Sequence, residues 1–236
     1  MSTFGTVRYI TRYPVKSMRG EALDEARITF TGIPGDRWFS FVQDGDHSAF
    51  PWLTARECSE MLQYQPAVRA IGVGRLEVDV TTPAGKVLDI ASDELRQDIE
   101  RRAGRPIHLH SDYRGNQDVA YVSLISTATI RALAEQGGVP DDHRRFRMNL
   151  VVEADVPPFG EAQLVGQVLS IGDVRLAVTE QDRRCQMITL DPERGESVPA
   201  VLKAAGTLND ACAGLYLSVL APGKVRLGDE VVVEGA

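Results

Sequence analysis

Long apolar runs are missing from this sequence, and so are clustered cysteines and the common nucleotide and hydrolase motifs. No stretch approaches the roughly 18 apolar residues that span a bilayer, so no membrane-spanning segment is expected. Met1 to Thr6 has no charged region followed by an apolar one, so no secretion signal is read and a cytoplasmic chain is expected. The three cysteines, Cys58, Cys185 and Cys212, are odd in number and far apart. That usage argues against a disulfide framework, a zinc knuckle or an iron–sulfur module, and fits a reducing compartment. No Gly-x-Gly-x-x-Gly follows a strand, and no P-loop, His-Glu-x-x-His or Gly-x-Ser-x-Gly occurs. A basic balance is lacking too: the formal net charge of −7 excludes a general nucleic-acid binder.

What is present is an ordinary globular composition, 43% hydrophobic and 25% charged over 236 residues, enough for one large or two small domains. Short β-branched runs broken by Gly and Pro recur along the chain: Val7–Tyr13, Ala26–Phe30, Asp36–Val42, Leu76–Val80, Lys86–Ile90, Ile107–His110 and Leu150–Glu153. Gln167–Ile171 and Val174–Val178 form a hairpin about Gly172-Asp173, and Leu215–Leu220, Lys224–Leu227 and Glu230–Val233 close the series. Helices are few. Thr54 with Glu57 reads as a capping box that starts one, Ser92 caps a second that Gly104 ends, Ser126–Gly137 is a third, and a short one lies near Val198–Ala205. The result is a β-rich α+β chain, a β-barrel-like domain with peripheral helices, with a domain seam at the helix ending in Gly104.

Three basic clusters stand out on this acidic chain: Arg8, Arg12, Lys16 and Arg19; Arg144, Arg145 and Arg147; Arg183 and Arg184. Such clusters suit a confined anionic ligand, or are solvated surface charge. The loop Pro14–Gly20 offers an ammonium, a hydroxyl, a guanidinium and backbone amides, the donors that phosphate needs; it also reads as a polar connection. Arg147 and Asn149 combine a cation with an amide able to meet both edges of a heterocycle. Cys185 follows two arginines, so it is either a small buried hydrophobe or a thiolate available to a soft metal. His108 and His110 share one face of a short strand, where a structural role outweighs a metal site.

In order, Tyr13-Pro14-Val15-Lys16-Ser17 with Gly20, Thr31-Gly32 with Asp36-Arg37, Leu53-Thr54-Ala55-Arg56, Phe146-Arg147 with Asn149–Val152, Arg184-Cys185 with Asp191-Pro192, and Gly214-Leu215-Tyr216 with Gly223 and Gly228-Asp229 resemble the MOSC family. That family is named for the C-terminal domain of molybdenum cofactor sulfurase. The resemblance implies a smaller N-terminal β-barrel domain, placed at 1–104, and a MOSC domain at 105–236. It implies a molybdenum cofactor, whose phosphate end matches Lys16 and Ser17, with Arg37, Arg147 and Asn149 as further contacts and Cys185 as the catalytic metal ligand of the mitochondrial amidoxime-reducing branch. Ser123 or Ser126 is a looser match. The activity implied is reduction of N-hydroxylated compounds, such as hydroxylamines, amidoximes and N-hydroxylated bases. An external electron donor, a ferredoxin or reductase, is expected, with neither nucleic acid nor membrane as partner. The alternative is a cofactor-binding or sulfur-carrier protein using Cys185 as a persulfide or transfer site. The sequence departs from the family pattern at Met148, where many members have proline, at Asp182 and Arg183, near which many have a further cysteine, and at 44–52. No general acid is assigned; Asp36 and Asp182 are the candidates left open.

Overall fold

The computed structural model describes residues 2–72 and 75–235, with nothing stated for side chains 70–76. Its strands are β1 (Ser2–Arg12), β2 (Glu21–Leu23), β3 (Glu25–Ile28), β4 (Phe39–Gln43), β5 (Gln65–Gly72), β6 (Arg75–Thr81), β7 (Val87–Asp89) and β8 (Ile107–Ser111). They continue as β9 (Val122–Ser126), β10 (Leu150–Glu153), β11 (Val168–Ile171), β12 (Val174–Arg183), β13 (Cys212–Ala221), β14 (Gly223–Arg226) and β15 (Glu230–Val233). The helices are α1 (Asp93–Ala103), α2 (Thr127–Gly137) and α3 (Ala200–Asn209).

Seven strands close a barrel in the order β10-β9-β13-β12-β11-β15-β1, with β1 returning to β10 and β2 added outside β1. The alternation seen in the sequence is what closes it: along β12, Val174, Leu176 and Val178 turn inward to meet Leu169, Ile171, Leu215 and Leu217, while Arg175 faces out. Each such buried aliphatic side chain contributes about 1.5–3 kcal/mol. The β11–β12 hairpin has Ile171 opposite Val174, so its turn is Gly172-Asp173. Gly172 sits at φ +54°, and an added Cβ there would lie 2.5 Å from the Lys224 carbonyl oxygen.

A second core, built on Phe41, Met61, Tyr64, Val78, Leu95 and Ile99, lies under the β4–β8 ribbon, the β5-β6-β7 sheet and α1. α1 begins where the Ser92 hydroxyl accepts from Leu95 N–H and ends at Gly104, φ +69°. A third core joins α2 and α3 to the barrel through Ile130, Leu133, Phe146 and Val201. Buried Glu161 fixes the start of α2, accepting from the Ser126 and Thr129 hydroxyls at 2.8 Å each. The seam expected at Gly104 falls just before β8. From the residues ahead of it, β1 is a barrel strand, and from those after it, β8 pairs with β4.

Two local expectations turn out differently. Only half of the Thr54–Glu57 box forms, the Thr54 N–H donating to the Glu57 carboxylate at 3.2 Å, and a single turn follows rather than a helix. Arg56 takes the Thr54 hydroxyl instead of leaving it for the turn's amides. Asp36–Trp38 is a turn rather than the start of a strand. Its Asp36 carboxylate is wholly buried and accepts from Tyr13 N–H at 2.7 Å, which holds these residues out of the ladder.

Candidate functional site

Pro14 stops β1 from continuing, and the chain beyond it zips onto the turn ahead of β4. Arg37 N–H donates to the Tyr13 carbonyl oxygen, Phe39 N–H to that of Pro14, and Lys16 N–H to that of Phe39. This places Lys16, Ser17 and Arg37 side by side. Arg147 and Asn149 reach the same place from the turn before β10, and Cys185 from the turn after β12. All six of these residues line one cavity of about 600 Å³.

The backbone there is strained in a consistent way. Ser17, Arg37 and Arg147 have φ of 69°, 54° and 55°, the left-handed region that side chains with a Cβ avoid. Each such residue costs on the order of 1 kcal/mol and persists where surrounding contacts over-determine it. Here hydrogen bonds and ring contacts of the two arginines supply that constraint. The Arg147 guanidinium donates to the Met18 carbonyl oxygen at 2.6 Å, and that of Arg37 to Asp36 at 2.5 Å and to the Arg147 carbonyl oxygen at 2.9 Å. Both guanidinium carbons stand over the Tyr13 ring, 4.7 Å and 4.4 Å from its centroid.

The cavity is positive within an acidic protein. Six cationic side chains, Lys16, Arg37, Arg56, Arg147, Arg183 and Arg184, line it against two carboxylates, Asp118 and Asp182. Burial pulls the Arg147 guanidinium down to about 10, with Tyr13 opposing the shift. Burial also lowers the Lys16 ammonium, against the pull of Asp118. Lys16 donates to the Asp118 carboxylate at 2.5 Å and to the Asn116 carbonyl oxygen at 2.7 Å. An anion arriving at Lys16 therefore meets a carboxylate that is already there, and that carboxylate is more than half exposed.

Asn149 lines the cavity but its amide is spent internally. Its carbonyl oxygen accepts from the Ser123 N–H and hydroxyl at 3.2 Å each, and its NH2 donates to the Thr11 carbonyl oxygen. These bonds tie β1 to β9 and β10. Ser123 lines the cavity itself beside Asn149, whereas Ser126 belongs to the Glu161 cluster at α2.

Cys185 is an exposed free thiol. The turn after it is clamped by Arg145, whose buried guanidinium donates to the carbonyl oxygens of Thr189 and Leu190 at 3.1 and 2.8 Å. Arg184 does not serve the thiol. Its guanidinium pairs with Asp182 and donates to the Phe146 carbonyl oxygen. The register between β12 and β13 slips between Gln181 and Arg183, and within that slip Asp182 is buried at the cavity wall. Gly214, φ +86°, permits the close passage of β13 there, since a Cβ would lie 2.3 Å from the Met148 methyl.

Sequence reasoning left Asp182 open and gave Asp118, Arg56, Phe50 and Tyr216 no place in a site, yet all five line the cavity. Tyr216 is hydrogen-bonded to Asp182, and burial followed by that carboxylate pushes its phenol up. Burial likewise raises the Asp182 carboxyl, while Arg184 opposes it. Phe50, in the unusual 44–52 segment, lies 5.4 Å from the Lys16 ammonium and 5.1 Å from the Arg56 guanidinium. Asp36 is bound to Tyr13 and Arg37. The two strand histidines stay apart in role, His108 against Asp44 at 2.6 Å and His110 against the Trp52 ring. Among the described residues no cluster of three or more His, Cys, Asp or Glu side chains could hold a metal. No described helix is long and apolar enough to cross a membrane, which leaves strands unaddressed.

The sequence matches the family model of the MOSC domain over residues 110–232 and that of the MOSC N-terminal beta barrel domain over 4–119. The chain belongs to the MOSC domain family. It is 39% identical over 222 residues to molybdenum cofactor sulfurase from Caenorhabditis briggsae, covering 84% of this chain and 31% of that protein. It is 26% identical over 229 residues to molybdenum cofactor sulfurase from Caenorhabditis elegans, with the same coverage. This MOSC chain thus spans about a third of those relatives' length. Among solved structures, the YUAD protein from Bacillus subtilis shares the fold with a TM-score of 0.50 at 16% identity, over 98% of this chain and 94% of that one.

Proposed function

We propose that this MOSC protein binds the molybdenum cofactor in the 600 Å³ cavity and acts as an oxidoreductase that reduces N-hydroxylated compounds. The observation that carries the reading is the donor set: six cations against two carboxylates, with an exposed thiol at the same wall, in a chain of net charge −7. These residues fit a group that has a phosphate at one end and a soft metal at the other. Lys16, Ser17, Arg37 and Arg147 are the phosphate side, and Cys185 is the metal ligand. Asn149 acts by holding the wall in place. When bound, the cofactor supplies two-electron oxygen-transfer chemistry. Breaking each N–O bond takes up two electrons and two protons and releases water. The electrons come from an external ferredoxin or reductase. Tyr216 and Asp182 are the groups at the wall able to hold a proton, and the left-handed turns at Arg37 and Arg147 bring side chains of like charge close together.

One observation favours a second reading. The Cys185 thiol is exposed rather than sealed in, which suits a sulfur carrier that holds a persulfide and passes it to a client. Relatives named molybdenum cofactor sulfurase are consistent with that role.

The deciding experiment is elemental and pterin analysis of wild type and Cys185→Ala, both purified from a host that makes the cofactor. Near-stoichiometric molybdenum that is lost or altered in the variant, with turnover of a hydroxylamine by a chemical reductant, supports the oxidoreductase. Pterin independent of Cys185, cyanolysable sulfur on that residue and no turnover favour the carrier. Absence of both pterin and metal from wild type overturns the oxidoreductase, and absence of cyanolysable sulfur on Cys185 overturns the carrier.

A further inference from the structure

A second cavity lies behind the first. It measures about 270 Å³; Arg147 lines both spaces, while Tyr13, whose ring lies under the Arg37 and Arg147 guanidiniums, lines this one. Its character is different. Tyr9 and His143 stack with ring centroids 4.0 Å apart and planes 4° from parallel, and both line the space. Leu23, Leu62 and Leu227 line it too, mixing aliphatic surface with the aromatic pair.

The arginines on this lining are already committed, and its one carboxylate, Asp24, adds no positive charge. Arg19 pairs with Glu193 at 2.6 Å, and Arg144 pairs with Asp142 at 2.6 Å and also with Glu193. Arg147 is committed to the Met18 carbonyl oxygen and the Tyr13 ring. An anion entering here would have to break ion pairs, whereas a neutral molecule would not. Burial also lowers the His143 imidazole below its ordinary value, against Asp142, which favours the uncharged ring. A lining of this kind rewards a flat, uncharged, polarisable surface, and the volume lies just below the range that holds drug-sized ligands, suiting one or two fused rings.

We propose that this second cavity is a binding site for a small neutral aromatic or heteroaromatic molecule, seated against Tyr9 and His143 beside Tyr13 and Arg147. The inference is independent of what fills the charged cavity, because apart from Arg147 it uses a separate set of residues. Occupancy has a route to the first site, since the ligand would press on the ring that carries both the Arg37 and Arg147 guanidiniums.

Indole is the probe, titrated into the full chain and followed by saturation-transfer NMR and calorimetry. Saturable binding with a dissociation constant on the order of 1 mM or tighter is expected for a ligand of this size. Ala22 lies on the lining and is exposed, so Ala22→Trp fills the space without entering a core. It should weaken indole at least about tenfold. Tyr9→Leu, at a position 38% exposed, removes the aromatic wall while keeping bulk and should weaken it severalfold. Circular dichroism checks that both variants fold. Absence of saturable binding to wild type overturns the proposal, as does binding that survives in both folded variants, which would place the indole elsewhere.

Discussion

Arg147 has a positive, carboxylate-poor cavity on one side and a more apolar cavity with paired arginines on the other. The same side chain serves both, so the contrast does not come from it. It comes from whether neighbouring carboxylates reach the arginines. On the apolar side, Glu193 and Asp142 neutralise Arg19 and Arg144. On the charged side Arg56 and Arg183 have no ion pair among the described residues, and Lys16 meets a largely exposed partner. Local pairing, rather than net charge, sets what each cavity can accept.

The largest blow to that contrast is Arg147→Ala, which removes the shared guanidinium. Pterin and molybdenum content, measured on protein from a cofactor-making host, should fall at least about tenfold, because a charge-assisted donor and its cation–π contact go together. Indole affinity should fall in the same variant, since the wall between the cavities opens. A fall in one without the other would show that the two spaces are not joined through this residue.

Asp118→Asn should act on the charged side alone. It removes the carboxylate that competes for Lys16, so inorganic phosphate, titrated by NMR, should bind about three- to fivefold tighter, a modest gain because Asp118 is exposed and screened. Indole binding should not change.

The smallest effect is a pH dependence on the apolar side. The folded-state His143 pKa lies below the value of about 6.5 it has unfolded, so the unfolded chain takes up a proton first. The stability His143 contributes is therefore present above pH ~6.5 and is lost as pH falls below it. Denaturant midpoints measured at pH 7.5 and 5.5 should drop more in wild type than in His143→Gln. An equal drop in both would mean that the imidazole titrates as it does in the open chain.

Much of the fold was legible because its signals are local. The Gly172 turn, the Ser92 and Gly104 caps of α1 and the Ser126 start of α2 each depend on a handful of neighbouring residues. Barrel closure is not local: the pairing of Tyr9 with Val151 leaves no mark on either segment. The site divides the same way. Lys16, Ser17, Arg37, Arg147, Asn149 and Cys185 all face one cavity, but which of their donors are spent is a matter of distant partners. Nothing near Asn149 in sequence reveals Thr11, and nothing near Lys16 reveals Asp118. The one-turn stop after Thr54 depended on an arginine two residues away choosing the hydroxyl. The signal for Tyr216 was present in Gly214-Leu215-Tyr216, but only the slip beside Asp182 gives it a task.

The barrel's first strand has a consequence for how the molecule is made. β1 pairs with residues near 151 on one side and near 232 on the other. At synthesis rates of about 5–20 residues per second, it leaves the ribosome on the order of ten seconds or more before its last partner exists. During that wait its unmet edge can pair with another nascent chain. The β2 hairpin covers only Ile10 to Arg12, the end that leads into the Lys16 loop. So the Lys16 loop can be shaped early, while the barrel behind it stays open until synthesis is nearly done.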